Sequence, residues 1–281
     1  MASTLWLLWK LFWKLLGPIT TIAILAVLII IVSLTYSQNA PIPQVRRKNQ
    51  PVHLLLVLGS GGHTTEMFSM LKNIPLDPTL YTYRTYVVSS GDNFSAEKAR
   101  EFEADFLEKS NILSENYTIV TIPRARRVHQ SYWTAPFSTI HCLWACFEVL
   151  LGRYPGQKRL PPRYLSPQPD LILTNGPAVG LCIVIAAKII RFCEFVSRWM
   201  SGSSSRPAVS RLRTMFVESW ARVSGLSTTG VLLLPLADVF LVQWRSLAGR
   251  QAWPGMKKTQ YAGWAVLPSP GGKQRIKDVH E

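Results

Sequence analysis

At 281 residues and 48% hydrophobic content, the chain can bury a sizeable core and has room for one large domain or two small ones. Its 31 Lys and Arg against 16 Asp and Glu leave a formal charge of +15, which suits anionic head groups or a phosphorylated substrate. No repeat and no RNA-binding aromatic signature accompanies that charge, so nucleic acid is set aside as a partner.

The chain opens with Trp6, Trp9 and Trp13 beside Lys10 and Lys14, which reads as an interfacial segment over residues 1–14. Ile19 to Leu34 is nearly pure Ile, Leu, Val and Ala, and with its flanks the run over residues 15–36 reaches roughly 20 residues, which matches the thickness of a bilayer. A cleaved signal peptide would carry a shorter apolar core and small residues at its cleavage site, so a single-pass transmembrane anchor is the preferred reading. Arg46, Arg47 and Lys48 follow the span while Lys10 and Lys14 precede it, a count that leans toward a cytosolic carboxy-terminal domain. The sequons at Asn93 and Asn116 would carry glycans in a lumenal domain and stay bare in a cytosolic one. Residues 37–51, rich in Pro and basic side chains, form a linker.

From Val52 onward, β-rich runs alternate with helical ones. Strands are predicted at Val52–Leu58, Arg84–Ser89, Tyr117–Ile122, Asp170–Thr174, Thr214–Glu218 and Val239–Gln243. Helices are predicted at Thr64–Asn73, Ser95–Glu108, Pro136–Leu151, Ala178–Phe195 and within Ser227–Leu234. This alternation predicts an α/β fold, a doubly wound parallel sheet over residues 52–267, with a Ser-rich loop at 196–213 and a flexible tail at 268–281. Cys142, Cys146, Cys182 and Cys193 all fall in apolar helical stretches and form no C-x-x-C pair. Buried thiols are expected there rather than a metal site with His141, and neither a metal nor a cofactor is expected.

Several constellations carry chemistry. In Gly59-Ser60-Gly61-Gly62-His63 an apolar strand breaks and a helix begins at Thr64, which leaves backbone N–H groups aimed at an anion such as a phosphate. The same residues also suit a plain βα turn, and Glu66 suits the positive end of the helix dipole more readily than a catalytic carboxylate. A dinucleotide fingerprint fits poorly, since Thr64 replaces its third glycine, although Asp92 stands where a ribose-binding acid would. Arg124, Arg126 and Arg127 follow a strand and could grip a diphosphate or anionic lipid, or form a solvated basic loop beside His129, Tyr132 and Trp133. Asn175-Gly176 and Glu218-Ser219 end two further strands on the same side of the sheet. No D-x-D pair is present to bridge a metal to a nucleotide sugar.

These blocks, in this order, resemble the membrane-anchored subunit family of the eukaryotic UDP-N-acetylglucosamine transferase. The matching segments are LGSGGHTTEM (58–67), VVSSGDNFSAEKA (87–99), IPRARRVHQSY (122–132), PDLILTNGPAVG (169–180), FVESWARVSGLSTTG (216–230) and LADVFLVQW (236–244), with a weaker YAGW (261–264). A similar Gly-rich turn with His occurs in the acceptor half of the bacterial peptidoglycan-precursor GlcNAc transferase. The resemblance implies one Rossmann-like half of a GT-B glycosyltransferase, with a soluble UDP-GlcNAc-binding catalytic subunit as its heterodimeric partner. It implies an enzyme subunit inactive alone, which adds the second GlcNAc to dolichyl-diphosphate-GlcNAc on the cytosolic face of the endoplasmic reticulum membrane.

On that resemblance, Gly59, Ser60, Gly61, Gly62 and Thr64 would cradle the acceptor diphosphate, assisted by Arg124, Arg126 and Arg127. His63 would either take the proton of the attacking hydroxyl or hydrogen-bond the phosphate, and Glu218 is a second candidate base. Asn175, Gly176 and Ser219 would line a cleft facing the partner. The stretch 196–213 and the tail beyond Leu267 depart from the family pattern, which puts the carboxy-terminal contact with the partner in doubt. Two alternatives stay open: a membrane recruiter without chemistry, and an autonomous membrane-bound oxidoreductase using a nucleotide cofactor.

Overall fold

The computed structural model describes residues 2–39, 51–74, 81–110, 116–126, 130–131, 133–161, 164, 166–201 and 211–263. Two compact units divide at Ala40. The first is a single helix, α1 (Ala2–Asn39), which runs through Pro18 and through the stretch read as interfacial. Its part from Pro18 to Asn39 has a mean hydropathy of 2.6 and is long and apolar enough to cross a membrane.

The second unit is an α/β domain. In chain order it comprises β1 (His53–Val57), α2 (Gly62–Asn73), β2 (Tyr83–Ser89), α3 (Asn93–Ser110) and β3 (Tyr117–Ile122). There follow α4 (Ala135–Leu150), β4 (Leu171–Thr174), α5 (Val179–Met200), β5 (Arg213–Val217), α6 (Thr228–Leu233), β6 (Val239–Val242) and β7 (Gln260–Tyr261). All strand pairs are parallel, in the order β3-β2-β1-β4-β5-β6-β7. This is the doubly wound sheet that the strand–helix alternation predicts. Only β7, two residues at the edge, has no counterpart among the predicted strands; it is too short to show any periodicity. The predicted end of α5 at Phe195 falls five residues short of Met200, because the apolar period continues through Trp199.

Successive residues of β1 serve opposite faces, as the pleat requires. Leu55 and Val57 pack beneath α4 and α5, together with Val87, Val120 and Ile122. Leu54, Leu56 and Leu58 pack beneath α2 and α3 with Tyr86 and Val88. A sheet buried on both faces explains why β1 reads as a continuous apolar run rather than an alternation. Each fully buried leucine contributes about 1.5–3 kcal/mol. Of the cysteines, Cys142, Cys146 and Cys182 are buried as expected, whereas Cys193 is exposed on the outer side of α5.

The strands' amino-terminal ends hold most of the domain's buried charge. Asp238, just before β6, accepts from Lys188 Nζ (2.8 Å), Arg191 Nη1 (2.7 Å) and the Thr214 N–H (2.9 Å). Burial pushes its carboxyl up, but the Lys188 and Arg191 charges outweigh that and hold it at about 2. Arg84 in β2 forks onto Glu103 of α3, which also accepts from the Tyr86 hydroxyl. His53 opens β1 with Nε2 2.8 Å from Thr85 Oγ1, and burial lowers its imidazole to about 4.

Candidate functional site

In a sheet of this order the connections leave in opposite directions at β1 and β4, and the crevice beyond their carboxyl ends is the natural ligand site. The glycine turn lies there. A Cβ on Gly59 would sit 2.9 Å from the Gly176 Cα and 2.7 Å from the His63 Cβ, so the turns after β1 and β4 touch only because both carry glycine. Gly61 holds φ 62° at the N-cap of α2, which receives no side-chain cap. The first backbone N–H groups of α2 are therefore left for a ligand or solvent. Thr64 faces inward: its hydroxyl bonds Gly59 O and lies 2.6 Å from Ser95 Oγ, tying the turn to α3.

The His63 side chain is 35% exposed at the lip of this turn. Its Nδ1 is shut off from solvent without a hydrogen-bond partner and lies 3.9 Å from Glu66 Oε2, which leaves Nε2 as the ring nitrogen available to a ligand. Asn175 Nδ2 donates to His63 O (2.7 Å) and fixes the turn from the β4 side. Asn175 Oδ1 is buried with no partner in the described chain.

Glu66 is more central than the helix-dipole reading anticipates. Buried one turn into α2, it accepts from the Trp220 N–H (2.6 Å), Ser219 Oγ (3.0 Å) and Gln243 Nε2 (2.5 Å). It thereby ties α2 to the ends of β5 and β6, and Oε2, which accepts from Ser219, also faces His63. Trp220 and Gln243 fall within the matching segments 216–230 and 236–244, but nothing in those segments marks either as a partner of Glu66. Glu66 does have one signal, a carboxylate spaced i, i+3 from a histidine on a helix.

The other expected site residues fall nearby in differing roles. Ser219 borders the crevice through Glu66. Glu218 is only 2% exposed, and its Oε2 accepts from the Ser227 N–H (3.0 Å) and hydroxyl (3.2 Å), organising the loop before α6. Arg124 stands on the same sheet edge, at the end of β3, with Nε donating to Ser90 O (2.8 Å). Arg126 reaches Gln130 O (3.3 Å). Arg127, His129 and Tyr132 lie outside the described residues, while Trp133 is exposed before α4. Asp92 caps α3 through Ser95 N–H (3.1 Å) and Oγ (2.6 Å), which occupies the carboxylate that a ribose would need. His141 is exposed on α4 while Cys142 and Cys146 point into the core, so these three do not converge. Hydrogen bonding to Cys146 raises the Cys142 thiol, which keeps it protonated.

Comparison with known proteins places this arrangement. The family model described as "Oligosaccharide biosynthesis protein Alg14 like" matches residues 54–265, from β1 to beyond β7. The UDP-N-acetylglucosamine transferase subunit alg14 of Aspergillus fumigatus is 53% identical over 71% of this chain and 100% of its own length. The corresponding subunit of Schizosaccharomyces pombe is 35% identical over 87% of this chain and 96% of its own length. That of Homo sapiens is 32% identical over 77% and 84%. With every strand but the first residue of β1 inside the matched region, this chain belongs to the Alg14-like family of oligosaccharide biosynthesis proteins.

Proposed function

We propose that this chain is the membrane-anchoring, acceptor-side subunit of a two-chain UDP-GlcNAc transferase, working on the cytosolic face of the endoplasmic reticulum. Its substrate would be dolichyl-diphosphate-GlcNAc and its product the lipid-linked disaccharide that begins an N-glycan precursor. The observation that carries the reading is the glycine turn at the β1–β4 crevice, with an uncapped α2 behind it and His63 at its lip. The relatives' shared name, subunit of a UDP-N-acetylglucosamine transferase, supports a partner chain. One doubly wound domain leaves the donor site to that partner, a soluble UDP-GlcNAc-binding chain. The Pro18–Asn39 helix supplies the anchor.

In this mechanism the turn Gly59–Gly62 and the first N–H groups of α2 receive the acceptor diphosphate, with Thr64 holding the turn in shape. Arg124 and Arg126 add positive charge along the same edge. His63 Nε2 removes the proton from the acceptor 4-hydroxyl as its oxygen bonds to the donor anomeric carbon. The bond from that carbon to the UDP oxygen breaks, and UDP departs with the electron pair. Glu66 steadies His63 and the β5 and β6 loops that face the partner. Glu218, buried and engaged with Ser227, suits support of the loop before α6 better than proton transfer.

Transfer from UDP-GlcNAc to a phytanyl-diphosphate-GlcNAc acceptor tests the proposal, with the chain assayed alone and with the soluble partner co-expressed. Activity in the pair only is the expected result. Activity from this chain alone would overturn the division between donor and acceptor halves. An inactive but stable pair that still binds UDP-GlcNAc would leave a recruiter. Asn93 and Asn116 would stay unglycosylated in cells.

A further inference from the structure

Behind the glycine turn stands a second turn, the one after β2. There Ser90 N–H donates to Ile122 O (2.8 Å), Asp92 N–H to Ser89 O (3.1 Å) and Arg124 Nε to Ser90 O (2.8 Å), so the end of β3 holds the β2–α3 connection in place. Asp92 receives Ser95 on both oxygens, the N–H on Oδ1 (3.1 Å) and the hydroxyl on Oδ2 (2.6 Å). Ser95 Oγ in turn lies 2.6 Å from Thr64 Oγ1. Both hydroxyls close on Gly59 O from the inside, with Thr64 donating to it directly and Ser95 Oγ 3.4 Å away. Thr64 and Ser95 are fully buried and Asp92 is 8% exposed. The surrounding layer between α2, α3 and the sheet is apolar, with Leu58, Met67 and Ala99, and Val and Ala would pack there without needing partners. A satisfied polar chain in such a place fixes one geometry where an apolar one would not.

That geometry is the direction of one peptide. The Gly59 carbonyl is drawn inward and the peptide to Ser60 is trans, so the Ser60 N–H points the opposite way, toward the exposed side of the turn. Among the described residues, no hydrogen bond takes that N–H. We infer that Asp92 and Ser95 are positioning residues of the acceptor site: through Thr64 they fix the Gly59–Ser60 peptide and present the Ser60 N–H to the acceptor diphosphate. The inference rests on the reading of this turn as the diphosphate cradle. Rotamer choice is how the two residues act. A threonine in a helix divides between two χ1 rotamers, and only one of them can place the Thr64 hydroxyl under Gly59 O. Ser95 supplies the polar contact that selects it, and Asp92 holds Ser95 in the rotamer that does so. Glycine makes the restraint necessary, because the peptide after Gly59 turns with little steric resistance once its carbonyl is released. An amide already aimed at the anion costs nothing to reorient on binding.

The test uses the heterodimer of the full chain with its soluble partner, and phytanyl diphosphate as a sugarless competitor of phytanyl-diphosphate-GlcNAc. Ser95→Ala and Asp92→Ala should each raise the acceptor KM and the inhibition constant of phytanyl diphosphate together, by about three- to tenfold. The KM for UDP-GlcNAc and kcat should stay within about twofold, a split that general loosening of the domain would not produce. Asp92→Asn keeps an oxygen for the Ser95 hydroxyl and should return every constant to within about twofold of the unaltered complex. A tenfold loss with Asp92→Asn would make the carboxylate charge the quantity that matters and overturn the inference. Unchanged inhibition constants in both alanine variants would overturn it too, as would an equal rise in the KM for UDP-GlcNAc. Ser95→Ala carries the test should Asp92→Ala fail to fold, since it leaves the Ser95 N–H bond to Asp92 in place. Failure of the underlying reading looks different: phytanyl diphosphate that does not inhibit the unaltered heterodimer would overturn the diphosphate cradle, and the inference with it.

Discussion

The two ends of the same sheet make different use of polar residues. At the amino-terminal ends of the strands, buried Asp238 is held by Lys188 and Arg191 and buried Arg84 by Glu103, while buried His53 meets Thr85 through Nε2 and keeps an unpaired Nδ1. At the carboxyl ends, two glycine turns press together, α2 begins uncapped, and His63 Nδ1 and Asn175 Oδ1 have no hydrogen-bond partner among the described residues. Both edges come from one pattern of parallel strands, yet one is laced by buried ion pairs and the other leaves a helix end uncapped. Charges paired within the chain report on stability, and a helix left uncapped behind a glycine turn reports on function.

Substitutions should therefore separate the edges. The largest expected loss is at the closed edge: Asp238→Ala strands Lys188 and Arg191 without their carboxylate and should cost about 3–5 kcal/mol in chemical denaturation, as breaking a buried ion pair does. Heterodimer that still folds should keep its specific activity. At the open edge, Gly59→Ala drives a methyl group into His63 and Gly176 and should cost about 1–3 kcal/mol, with a raised KM for the lipid acceptor and an unchanged KM for UDP-GlcNAc. Glu66→Gln blurs the division, because Glu66 belongs to the open edge but is buried. It should cost about 1–3 kcal/mol through its donors on Ser219, Trp220 and Gln243, and should lower kcat with a changed pH profile. A loss of stability with kcat and pH profile untouched would make Glu66 a strut only.

The smallest effect near neutral pH concerns His53. Burial lowers its imidazole from 6.5 to about 4, so the folded state holds it neutral. Its contribution is fully present above about pH 6.5 and is lost as pH falls through about 4, where the unfolded chain binds the extra proton more readily. The Tm should decline across that window, and His53→Asn should flatten the decline while leaving transfer activity at neutral pH intact.

Much of the open edge is legible in the sequence, because glycine, histidine and a strand–turn–helix register are local signals. Gly59, Gly61, His63, Asn175 and Gly176 all fall within a few residues of strand ends that periodicity already locates. Glu66 has three of its partners 153, 154 and 177 residues away, a contact set that no local pattern encodes. Glu218 ends a strand where a catalytic acid would stand, but the loop that buries it returns from Ser227, which strand periodicity cannot anticipate.

The central claim is that this chain contributes a base to glycosyl transfer and does not merely hold its partner at the membrane. Single-turnover transfer by the purified heterodimer carrying His63→Ala tests it most directly, with donor and acceptor saturating and partner retention measured on the same sample. The account predicts a rate about 10²–10⁴-fold below that of the unaltered complex, with the partner still bound and the Tm unchanged. A rate within about twofold of the unaltered complex would contradict it and leave His63, at most, a ligand of the diphosphate.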